Sequence, residues 1–100
     1  MTIIRFDSAF PKENLSAVSE LLEKHRQLIP DWCNWLTIYF ADEDQGKGFT
    51  LETVVNYDYR FAQIYVYAAW LVSRDREHEM VHELFHIITA PASNSAYTRT

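Results

Sequence analysis

The chain has 100 residues, 48% of them apolar or aromatic and 23% charged, with a net charge of −5. That length predicts one domain with a small core, and that apolar share excludes a disordered chain. The mild acidity, with no cluster of lysine or arginine, argues against nucleic acid or an anionic membrane as partner.

The opening MTIIRF lacks a basic region followed by a long apolar one, so it does not read as a signal peptide. It reads as a further short strand or an arm. PKENLSAVSELLEKHRQLIP carries Leu15, Val18, Leu22 and Ile29 at helical spacing, with Leu21 and Leu28 beside them. Pro11 suits a first turn and Pro30 a stop, and Lys24 and Arg26 lie where a helix favours cations. An amphipathic scaffold helix is expected here, with His25 on its surface. The lone Cys33 cannot make an internal disulfide, which points to a reducing cytoplasm.

WLTIYF alternates Leu36, Ile38 and Phe40 with Trp35, Thr37 and Tyr39, the period of a strand. ADEDQGKG reads as a solvated turn, because its acids lack the ligand spacing and closing glutamate of a calcium loop. FTLETVVNYDYR is a strand with Phe49, Leu51, Val55, Tyr57 and Tyr59 on one face. In FAQIYVYAAWLV, Ala62, Ile64, Val66, Ala68 and Trp70 share a face, and Gln63, Tyr65 and Tyr67 the other. The short gap around Arg60 predicts an antiparallel hairpin. The longest apolar run, from Ile64 to Val72, is too short for a bilayer span.

SRDREHEMVHELFHIITAP then turns helical, with Ser73 as N-cap, Asp75 and Glu77 at the positive end and Pro91 after the stop. The tail ASNSAYTRT is small and polar and is expected to fray. The expected fold is α+β: an N-terminal helix, a three-stranded, mainly antiparallel sheet and a C-terminal helix.

That last helix carries HExxH twice, in overlapping frames: His78-Glu79-Met80-Val81-His82 and His82-Glu83-Leu84-Phe85-His86. Histidines four apart lie nearly above one another on a helix. Two imidazoles so placed can take two corners of a tetrahedral zinc site, and the glutamate after the first faces the open corner, where it can deprotonate a water. The remaining positions should be apolar, to anchor the helix. The second frame meets this with Leu84 and Phe85 inside, Val81 before and Ile87 and Ile88 after. The first is preceded by Asp75, Arg76 and Glu77, followed by Glu83, and lies in the opening turn. His82 and His86 are therefore the candidate zinc ligands and Glu83 the candidate general base. His78 lies on the same stripe but about 12 Å from His86 along the axis, too far for one ion to bridge easily. The alternative is a helix whose histidines and glutamates merely form a polar face.

MVHELFHII resembles the active helix of the zincin metallopeptidases. The preceding YDYRFAQIYVYAAWLVSRDRE is similar to the segment before that helix in small phage and bacterial zincins of the minimal gluzincin type, and PDWCNWLTIYF fits their opening strand more loosely. The resemblance covers about Pro30 to Pro91, and its HExxH core is the specific part. It implies a hydrolase: a zinc peptidase whose active helix packs under a small sheet. It also implies that an edge strand from within 35–71 binds an extended peptide or protein substrate by backbone hydrogen bonds.

Such enzymes take a third ligand, usually glutamate, from a later helix, and no Asp, Glu, His or Cys follows His86. Nor does HIITAP continue as the metzincin motif does. Four accounts stay open: a shortened chain lacking a C-terminal subdomain; a ligand from upstream or from a partner chain; Tyr97 or the terminal carboxylate; or loss of the metal in favour of binding. Peptide deformylases pair a C-terminal HExxH with an upstream cysteine, but their glycine-rich and cysteine motifs are missing, so Cys33 is expected to be a buried thiol. Two functions follow: a zinc peptidase, weakly active in this form, or a non-catalytic interaction or inhibitor protein on the same scaffold. The sequence does not fix the substrate or the oligomeric state.

Overall fold

The computed structural model describes residues 1–41, 48–93 and 96–99, with Ser93 and 96–99 as backbone only. The acidic turn expected over ADEDQGKG thus falls largely outside the described residues, as do the terminal carboxylate and the side chain of Tyr97.

The class is α+β, as expected, but the sheet is larger and mixed. Five strands, β1 (Ile3–Phe6), β2 (Trp35–Ala41), β3 (Leu51–Asn56), β4 (Phe61–Tyr67) and β5 (Ala96–Arg99), lie in the order β1-β2-β4-β3-β5. β1 runs parallel to β2 and β2 parallel to β4, while β3 is antiparallel to both β4 and β5. The three-stranded, mainly antiparallel sheet is therefore corrected. Ile3–Phe6 of MTIIRF forms a strand, and residues 96–99 of the tail, expected to fray, pair with β3.

The hairpin expected around Arg60 is present: β3 and β4 pair from Leu51↔Val66 to Asn56↔Phe61. Arg60 takes a left-handed conformation (φ 59°), and Asn56 Oδ1 accepts the Tyr59 N–H at 3.1 Å, an asparagine role common in turns. β3 ends at Asn56, so Tyr57 and Tyr59 belong to the turn. β4, not β3, lies against β2, and the two seven-residue strands match in full register from Trp35↔Phe61 to Ala41↔Tyr67.

Alternation decides what the sheet buries. Leu36 and Ile38 of β2, Ala62, Ile64 and Val66 of β4, and Leu51, Thr53 and Val55 of β3 are all buried. Against them pack Val18 and Leu22 of α1 (Leu15–Lys24), Trp70 of the short α2 (Ala68–Leu71), and Met80, Leu84 and Ile87 of α3 (Arg76–Ser93). On the opposite face Tyr39 and Tyr65, cross-strand neighbours, stack with ring centroids 5.0 Å apart.

α1 is shorter than its sequence period implied. A 3-10 turn over Lys12–Asn14 leads into it and another over Arg26–Leu28 follows it. Ile29 is extended (φ −81°, ψ 119°), as a residue before proline must be. Arg26 leaves the helix to donate to the Thr2 carbonyl at 2.9 Å, tying this segment to the chain's start. His25 is not a plain surface residue. Its Nε2 lies 2.7 Å from Glu77 Oε2, to which Lys24 Nζ also comes within 2.7 Å, so the end of α1 is bound to the first turn of α3.

Candidate metal centre

α3 is positioned from its first turn. Ser73, expected as N-cap, lies two residues ahead of the cap position before Arg76, and its Oγ instead accepts the Asp75 N–H at 3.2 Å. The Glu79 N–H then donates to the Asp75 carbonyl at 2.9 Å. Buried Trp70 donates through Nε1 to the Arg76 carbonyl at 3.1 Å, and the Arg76 guanidinium lies 5.3 Å from its ring centroid. The strand face expected to run through Ala68 and Trp70 thus ends at Tyr67, and α2 turns Trp70 inward to brace the helix.

The buried stripe of α3 is Met80, Glu83, Leu84, Ile87 and Ala90. A carboxylate in that stripe needs a partner, since an unpaired buried charge is costly. Thr53 of β3 provides one: its Oγ1 donates to Glu83 Oε1 at 2.7 Å, with Thr53 fully buried and Glu83 only 3% exposed. Burial raises the Glu83 pKa above the ordinary carboxylate value, while the Thr53 hydrogen bond and nearby His82 lower it, and Glu52 and Glu79 raise it.

His82 and His86 lie on the neighbouring, more exposed side of the helix. Their Nε2 atoms are 3.1 Å apart, and the rings meet edge to face with centroids 4.6 Å apart. The 3.1 Å separation is a hydrogen-bonding distance between the N–H of one ring and the bare nitrogen of the other; two nitrogens bound tetrahedrally to one zinc stand about 3.3 Å apart, so the spacing also fits a shared ion. Ligand atoms of His82, Glu83 and His86 all lie within 4.8 Å of one another, and among the described residues this is the single group of three or more potential ligands.

His78 and Glu79 are not in that group. They line an adjoining cleft of about 320 Å³ with His82, Glu83 and the segment Gly48–Leu51. Glu79 Oε1 is buried there with no hydrogen-bond partner among the described residues. Two apolar positions depart from expectation: Phe85 is 49% and Ile88 37% exposed, so Leu84 and Ile87 alone anchor that turn. Cys33 is fully buried, with Sγ 3.3 Å from the Trp35 carbonyl, and burial pushes its thiol up to about 11.

The residue that periodicity did not single out is Thr53. Its signal was a hydroxyl at the inward position between Leu51 and Val55. Among the described residues no helix is long and apolar enough to cross a membrane. No family model matches the chain, and no curated protein or solved structure is significantly similar to it.

Proposed function

We propose that the chain is a zinc-dependent peptidase of the zincin type, with His82 and His86 as zinc ligands and Glu83 as general base. One observation carries this: two imidazole nitrogens 3.1 Å apart, grouped with the carboxylate of a buried glutamate. A polar helix face would have no reason to hold its glutamate inside the core on a threonine. When bound, zinc supplies Lewis acidity toward a water and a peptide carbonyl. Glu83 takes the proton of the attacking water on a carboxylate oxygen and delivers it to the leaving amine. Thr53 fixes that carboxylate while leaving its other oxygen for the proton. A reducing cytoplasm suits the free thiol of Cys33. With only two protein ligands assigned, the ion is held weakly and turnover by this chain should be low.

The test is metal analysis of untagged protein beside cleavage of an unfolded protein substrate. His82→Ala should lose stoichiometric zinc and His78→Ala should keep most of it. Damage by His78→Ala instead would move the site to the first frame. Glu83→Gln should keep zinc and lose cleavage. Cleavage equal to the parent's would remove Glu83 from the reaction, and negligible cleavage in both would favour a binding module.

A further inference from the structure

The outermost strands are β1 and β5, so the strands within 35–71, expected to supply an edge, are interior in the sheet order. What they leave open is a face. Leu36, Ile38, Ala62, Ile64 and Val66 are buried on the helix side, so the alternate residues point the other way. The register lines these up in three rows: Ile3–Trp35–Phe61–Asn56, Arg5–Thr37–Gln63–Val54 and Tyr39–Tyr65–Glu52. Ile3 is 56% and Trp35 40% exposed, and the rest of the aromatic residues in the rows are half-buried. The face is also indented. A hollow of about 220 Å³ lies between Arg5, Trp35, Tyr39 and Phe61, a relief into which the side chains of a facing sheet can interdigitate.

Two observations bear on what covers this face. β1, β2 and β4 run parallel, and sheets of parallel strands rarely leave a face to water. The second is charge. The three rows hold one cation, Arg5 on β1, and one anion, Glu52 on β3, whose Oε1 accepts the Tyr67 hydroxyl at 2.8 Å. β1 and β3 flank the β2–β4 pair, one on either side. A twofold axis lying in the interface and running along the strands between β2 and β4 lays β1 of one copy over β3 of the other. Arg5 is level with Val54, two residues from Glu52. The opposite charges are then offset along the strand by about 7 Å, a gap that a long arginine side chain can span, and the contact occurs twice. We propose that this face is the interface of a symmetric homodimer, with Arg5 of each copy paired with Glu52 of the other. A strongly acidic or basic partner would instead set one of the two charges against its like. The face measures about 19 Å across four strands and about 23 Å along seven residues, on the order of 450 Å² per copy. That is toward the low end for a specific interface, so the dimer is reversible, with a Kd of about 1 μM or weaker.

The test is sedimentation equilibrium of the metal-free chain from about 5 μM to about 1 mM. The parent should pass from monomer toward dimer within that range. Arg5→Glu puts two anions on the face and Glu52→Arg two cations, so each variant alone should self-associate at least about tenfold more weakly than the parent. Mixed in equal amounts, the two variants should recover the parent's association, because each meets in the other the charge it lacks. A parent that stays monomeric throughout overturns the proposal. So does a single variant that keeps the parent's circular dichroism and associates as well as the parent. So does an equimolar mixture of two folded variants that stays monomeric. Dilution of the nitrogen-15-labelled parent, followed by NMR, needs no variant. The amide shifts that change with concentration should gather on Trp35, Tyr39, Phe61 and Tyr65. Changes confined to α1 or α3 would place the contact on the helix layer and overturn the proposal.

Discussion

Glu83 sits in a conflict that a single hydroxyl moderates. Burial favours its neutral form, and the Thr53 hydrogen bond and His82 favour the charged one. Thr53→Val keeps the shape and removes the donor. The carboxyl pKa should then rise further, and because the base must be ionised to accept a proton, the acid limb of the pH–activity profile should move to higher pH. Urea unfolding at neutral pH should show a loss of about 1.5–3 kcal/mol, the usual worth of a hydrogen bond to a charged group. An unchanged pH profile would remove Thr53 from the site. At Cys33 burial outweighs the backbone hydrogen bonds that pull the other way. Its thiol, raised to about 11 and fully buried, should not react with a disulfide reagent in the native protein at mildly alkaline pH and should react once in denaturant. Rapid native reaction would contradict its burial.

At the scale of elements, α3 departs most from local rules. It runs through Pro91 to Ser93, although proline lacks the N–H that would reach the Ile87 carbonyl and crowds the preceding turn. Pro91 is exposed, so a change there alters backbone terms with little loss of packing. Pro91→Ala should stabilise the protein by about 1 kcal/mol or more, read as a higher denaturant midpoint with unchanged slope. A lower midpoint would mean that the proline's stiffness fixes how the chain leaves the helix toward β5. The HExxH register was legible because i and i+4 positions meet on any helix. The helix's end was not, because Pro91 as a stop was a local rule and tertiary context overrode it.

For the whole molecule, one layer of helices covers one face of a mixed sheet, and Ile64 stands at its middle. It is fully buried and paired with Ile38 on one side and Thr53 on the other. Ile64→Asp places a carboxylate there with no partner and should cost about 3–5 kcal/mol or prevent folding. A variant as stable as the parent by urea denaturation would show that this face is not the core.

What the sequence determined by itself is what depends on neighbours in the chain. Alternation marked the inward residues Leu36, Ile38, Ala62, Ile64 and Val66, all buried. The spacing of His82 and His86 brought two imidazoles together on one helix. The tertiary structure alone decided which strands pair. β4 slots between β2 and β3, MTIIRF joins β2, and residues 96–99 close over β3. Backbone hydrogen-bonding groups are the same at every residue, so a strand's local pattern shows which face is buried but not which strand lies beside it. Thr53 reaches Glu83 through that same choice, thirty residues apart in sequence, because α3 lies across the inner face of β3. No period in either segment records the contact.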